Sequence, residues 1–159
     1  MEKAGRETLQ YLFAEFLKAP TVVYSITPIT KKFRIDPVSL SDYLLEKKWI
    51  RERWIYPDNT VGCRITIKGI EEIDKAYVRE KLGLLIGSLV DAGGTKGLLE
   101  ILEFNLKEYS ISLDLVKQLE SMSFVRLLHR RDSIIIELTD LGRHFYEQNG
   151  RAFLTLMAY

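Results

Sequence analysis

Few groups in this chain have the types and spacing that chemistry requires. His129 and His144 stand apart, without the clustered Cys, His or carboxylate partners of a metal site. Cys63 is the single cysteine, which excludes an internal disulfide and a multi-cysteine zinc site. The stretch "AGGTKG" (92–97) has the glycines of a phosphate-binding loop but the order Thr-Lys-Gly. That loop needs Lys followed by Ser or Thr after the second spaced glycine. A helix stop followed by a helix cap at Thr95 accounts for the same residues. Glu71, Glu72 and Asp74 crowd the start of an expected helix, where acids complement the helix dipole. No catalytic, metal or cofactor motif emerges, so the expectation is a non-enzyme with no cofactor and no evident small-molecule substrate.

Two basic stretches and one aromatic stretch point instead to binding. "KKFR" supplies Lys31, Lys32 and Arg34, and "HRR" supplies His129, Arg130 and Arg131. Both suit phosphate contacts, and both read equally well as solvated basic loops. Trp54, Ile55, Tyr56 and Pro57 are large and apolar around a loop that should be exposed. Aromatics of that density either anchor a protein interface or fold back on the neighbouring part of the chain. The tail "RAFLTLMAY" (151–159) follows a helix expected to stop at Gly150. Phe153, Leu156 and Tyr159 make it too apolar to be left in water, so it is expected to dock on the body or on a second subunit.

The frame that must position these groups is legible from periodicity. Hydrophobic residues at 47% and charged residues at 28% of 159 describe a globular chain. The formal net charge of +1 gives no bulk pull toward a polyanion. The first residues, "MEKAGRETLQ", lack the apolar segment of a secretory signal. The longest apolar run, "LGLLIGSLV" (82–90), is about half the ~20 residues of a membrane span, so the expectation is a cytoplasmic protein with no membrane partner.

Leu9, Leu12, Phe13, Phe16 and Leu17 fall on one face of a helix that Pro20 closes. Thr27 with Pro28, and Asp36 with Pro37, read as cap and first position of two short helices. "WIRERWI" and "CRITI" read as hairpin strands. Thr66 caps a helix with Ile67, Ile70, Ile73 and Tyr77 facing inward. The order then recurs: "EKLGLLIGSLVDA" stopped by Gly93 and Gly94, a helix from Thr95, "SISLDLVKQLES", the strands "FVRLLHR" and "SIIIEL", and the closing "TDLGRHFYEQNG".

The two halves superpose on "LLEKKWI…RITIKGIEEI" and "LESMSFV…IELTDLGRHF". Leu44 falls on Leu119, Trp49 on Phe124, Ile50 on Val125, Arg51 on Arg126 and Gly69 on Gly142. A repeat of this kind argues for duplicated units. The pattern resembles the winged helix-turn-helix superfamily, twice in tandem. Lys48 and Ser123 stand where many members have glycine.

The resemblance implies an α+β, mostly helical fold: tandem winged helix domains, each three helices plus a β-hairpin wing and a closing helix. The units would span 1–79 and 80–150, with the apolar tail at 151–159. In DNA-binding members the third helix enters the major groove and the wing touches the backbone. Here the first third helix offers Ser39, Tyr43 and two unwelcome acids, Asp42 and Glu46. The second offers Asp114, Lys117, Gln118 and Ser121. The expectation is a small, transcription-regulator-like factor that binds DNA mainly through phosphates and associates as a homodimer or with a protein partner. The alternative is a tandem winged helix assembly module without DNA binding.

Overall fold

Prolines and short polar side chains mark where the helices begin. The computed structural model describes residues 1–20, 22–105 and 109–157, with the side chains of 102–110 and 149–159 outside that description. The chain is α+β and forms two compact units, Met1–Lys75 and Ala76–Tyr159.

The first unit opens with α1 (Glu2–Lys18), which buries Leu9, Leu12 and Phe16. A two-residue strand β1 (Tyr24–Ser25) follows. Helix α2 (Thr27–Phe33) carries Pro28 in its first turn, but its N-cap is Ile26 and not the expected Thr27. The Ser25 hydroxyl takes that role from outside, accepting the Thr27 amide at 3.3 Å. Helix α3 (Pro37–Glu46) is capped as expected by Asp36, which accepts from the Ser39 amide at 2.8 Å. The hairpin β2 (Ile50–Ile55) and β3 (Val61–Ile65) then leads into α4 (Ile67–Ile73). The antiparallel sheet has the order β1-β3-β2. Its inner face meets α1 and α3 around Ile26, Leu40, Leu44, Cys63 and Ile70, all fully buried.

The helix expected to run from Ile67 past Tyr77 is broken at Asp74, whose φ of −148° and ψ of 82° are not helical. Beyond it α5 (Lys75–Asp91) starts anew. It ends at Gly93 and Gly94 with φ of 80° and 100°, a left-handed exit that residues with a Cβ avoid. The expected cap at Thr95 is replaced by β4 (Thr95–Gly97), because these residues pair with Glu137, Ile136 and Ile135. A ladder to a neighbouring strand satisfies more backbone groups than one side-chain cap does.

Next come α6 (Leu98–Asn105), α7 (Tyr109–Ser121), the hairpin β5 (Val125–Arg130) and β6 (Ser133–Leu138), and α8 (Asp140–Met157). The second sheet has the order β4-β6-β5. Each unit thus runs helix, short strand, helix, helix, hairpin, helix. Leu85, Leu89, Ile101, Leu115, Leu119 and Ile136 form the second core.

Gly150 does not stop the closing helix, which continues to Met157. A glycine inside a helix costs only about 1 kcal/mol relative to alanine. The residues after it, Arg151, Ala152, Leu154, Leu156 and Met157, are strong helix formers, and they carry the helix through.

Candidate nucleic-acid and protein interfaces

In the first unit, Lys31 and Lys32 occupy the last turn of α2, where cations complement the exposed carbonyls. Lys31 is exposed. Lys32 is engaged: its Nζ lies 2.6 Å from Glu7 Oε2 and 5.4 Å from the centroid of the Phe33 ring. Arg34 closes the helix in a left-handed conformation, φ 51°, with its side chain in solvent. Ser39 spends its hydroxyl locally, donating to Asp36 Oδ2 at 2.9 Å. Those two bonds from Ser39, amide first and hydroxyl second, hold the Asp36 carboxyl below its ordinary range.

One obstacle on α3 is smaller than the sequence implied. Asp42 pairs with the Arg53 guanidinium, which also reaches the Ser41 hydroxyl at 2.8 Å. Sequence reasoning missed this pair. The signal was the alternation in "IRERWI", which turns Arg53 toward α3 while Trp54 faces the opposite way. Glu46 remains exposed, and Lys47 lies 5.7 Å from the Tyr43 ring centroid.

The tip of the first hairpin is apolar. Trp54, Ile55 and Tyr56 are 41%, 49% and 46% exposed. Arg64 sits 5.8 Å from the Trp54 ring centroid on the outer face of the sheet. The Tyr56 ring lies over Gly62, where an added Cβ would meet it at 3.3 Å. Asp58 and Thr60 tie off the loop: the Thr60 hydroxyl donates to Asp58 Oδ1 at 2.7 Å and its amide to the same oxygen at 3.1 Å. Both bonds lower the Asp58 carboxyl, the hydroxyl most.

The second hairpin is shorter and charged. His129 pairs with Ile134 and Arg130 with Ser133, which leaves Arg131 and Asp132 as the loop. His129, Arg130 and Arg131 are all exposed. Strand alternation puts His129 and Arg130 on opposite faces, with Arg131 at the tip, so the three fan outward. Helix α7, which packs on β5, exposes Lys117 and half-buries Gln118. Arg126 is occupied by Glu137 across the hairpin.

The tail residues Phe153, Leu156 and Tyr159 lie outside the described side chains. Cys63 is buried in the first core, and burial pushes its thiol pKa up to about 12, which makes it inert. Among the described residues, no group of three or more His, Cys, Asp or Glu is placed to hold a metal ion. No described helix is long and apolar enough to cross a membrane. No family model, curated protein or solved structure matches the chain.

Proposed function

We propose that the chain is a tandem winged helix protein that binds duplex DNA mainly through its phosphates, in the manner of a transcription regulator. The observation that carries this reading is the second hairpin tip, where His129, Arg130 and Arg131 fan into solvent on a two-residue turn. A basic hairpin tip beside a helix that exposes Lys117 suits a wing on the backbone with a helix in the groove. The second unit is the stronger candidate. In the first, Lys32 is held by Glu7, Ser39 is spent on a cap, and the hairpin tip is apolar.

Few side chains on either third helix suit base edges, so the contact is expected to be weakly selective. The test is fluorescence anisotropy with labelled duplexes of unrelated sequence, across a salt series. Affinity should fall steeply with salt. Arg130→Ala with Arg131→Ala should weaken all duplexes alike and flatten the log–log salt slope by about 2, at roughly 1 per phosphate contact. A duplex whose affinity and salt slope survive the double change would remove the wing from the contact.

The second reading, an assembly module without DNA binding, is favoured by one observation: Trp54, Ile55 and Tyr56 stand exposed together on the first hairpin. Absence of any DNA binding at low salt would select it.

A further inference from the structure

Among the described residues, no strand pairs with the outer edge of β2 in the first sheet. β3 lies between β1 and β2. Ile26 donates its amide to the Val61 carbonyl at 3.0 Å, and Tyr24 pairs with Cys63. The backbone groups of Val61 and Cys63 therefore point toward β1. In an antiparallel ladder the N–H and C=O of one residue point to the same side, and successive residues alternate sides. Gly62 and Arg64 accordingly bond toward β2, opposite Trp54 and Glu52. Arg53 and Ile55, opposite Cys63 and Val61, aim their N–H and C=O away from β3. The bond from the Tyr56 amide to the Thr60 carbonyl, 2.9 Å, continues the same alternation.

Natural sheet edges are usually blunted by a bulge, a proline or exposed charge. The register irregularity in β2 falls between Ile50 and Glu52, so Arg53–Ile55 stays regular. The Arg53 side chain is drawn inward by Asp42, and the residues beside the open groups are the exposed Trp54 and Ile55.

We infer that this edge pairs with the same edge of a second copy of the chain, antiparallel, about a twofold axis at Trp54. The register follows from the open groups. Bonded residues in an antiparallel pair exchange both hydrogen bonds, so the pairing must join Arg53 or Ile55 to Arg53 or Ile55 of the other copy. Arg53 opposite Arg53 sets like charges face to face. Ile55 opposite Ile55 sets Arg53 against Pro57, which has no N–H to give. Arg53 opposite Ile55 uses the open N–H and C=O of both residues in both copies and places Trp54 against Trp54 in the closer, non-bonded pair. That contact is isologous, as a twofold dimer requires. This edge pairing involves the first unit only and is independent of DNA binding.

Cross-linking tests the register directly. Cys63 is buried and unreactive, so one introduced thiol reports alone. Trp54→Cys should form a disulfide-linked dimer under mild oxidation at tens of micromolar, because a non-bonded pair's ~4.5 Å Cα separation suits a disulfide. Glu52→Cys, displaced along the strand, should remain monomeric on a non-reducing gel. In sedimentation, the unaltered chain should be a dimer. Ile55→Pro, which removes an outward N–H and leaves the bonds from β2 to β3 in place, should make it a monomer with unchanged circular dichroism. A monomeric unaltered chain overturns the inference, as does equal cross-linking at positions 52 and 54. A dimer that survives a folded Ile55→Pro also overturns it. If Ile55→Pro does not fold, the cysteine pair decides.

Discussion

The Thr66 hydroxyl donates to the Lys48 carbonyl at 2.7 Å and accepts the Gly69 amide at 3.0 Å. In the second unit Thr139 repeats the arrangement, donating to the Ser123 carbonyl at 2.6 Å and accepting from Gly142 at 3.0 Å. One hydroxyl thus fastens the last strand of the hairpin to the exit of the preceding helix and caps the next helix. Valine keeps the shape and loses both bonds. Thr66→Val and Thr139→Val should each cost about 1 kcal/mol, read as a fall of about 5 °C in the melting of the affected unit. A variant that melts with the parent would mean that water replaces the hydroxyl at no cost.

The glycine at each seam is fixed by crowding, not by backbone conformation. A Cβ at Gly69 would run into the Trp49 carbonyl oxygen, and one at Gly142 into the Phe124 carbonyl oxygen, far inside contact distance. Backbone cannot swing aside as a side chain does. Gly69→Ala and Gly142→Ala should each destabilise by on the order of 3 kcal/mol or more. Gly87 in α5 is the control: its nearest neighbour would be the Tyr146 hydroxyl at an ordinary 3.5 Å. Gly87→Ala should be neutral or stabilise by about 0.5–1 kcal/mol, since alanine suits a helix interior. Denaturant midpoints for the three variants give the ranking.

Both seams were legible because their residues satisfy local demands: a hydroxyl for an exposed amide and no side chain where backbones meet. The hairpins were legible for the same reason, through alternation and turn residues. The short strands β1 and β4 were not. Thr95–Gly97 carries the local signature of a helix cap, and only Glu137, Ile136 and Ile135, far along the chain, make it a strand. The "VVY" run at 22–24 held the signal for β1 but is too short to stand alone. At the candidate sites, turn chemistry placed Trp54, Tyr56 and the Arg130–Arg131 tip at hairpin loops but left open whether the aromatics fold back on the chain. Which charges were already taken was invisible, because Glu7 and Arg53 reach Lys32 and Asp42 across the fold.

Acid should weaken the fold partly through Asp36. Its folded pKa lies below the ordinary value of about 3.9. A group depressed in this way contributes its stability above the unfolded pKa and loses it as pH falls through the folded one. The contribution is therefore intact at neutral pH and fades below about pH 4. Asp36→Asn retains a capping oxygen without a titrating proton. Melting temperatures at pH 7 and pH 3 should differ less for that variant than for the parent. An identical difference would assign the acid sensitivity elsewhere.

Lys48 and Ser123 adopt φ of 60° and 61°, the left-handed region, at the same place in the two units. Each sits between a third helix and its hairpin strand, where the chain must reverse within two residues. Lys48 hands its amide to the Leu45 carbonyl at 2.9 Å, and Ser123 hands its amide to the Glu120 carbonyl at 2.9 Å. Side chains with a Cβ pay roughly 1 kcal/mol for this conformation, whereas glycine enters it freely. Glycine also widens the unfolded ensemble, which offsets part of the gain. Lys48→Gly and Ser123→Gly should still stabilise their units by about 0.5 kcal/mol each. Neither side chain contributes to a core, both being exposed. Ala92, just past the end of α5, is also exposed but has no positive φ, so Ala92→Gly should lower stability instead. Chemical denaturation of the three variants separates the effects by sign. A loss of stability at both position 48 and position 123 would mean that Lys48 and Ser123 hold these turns through their side chains.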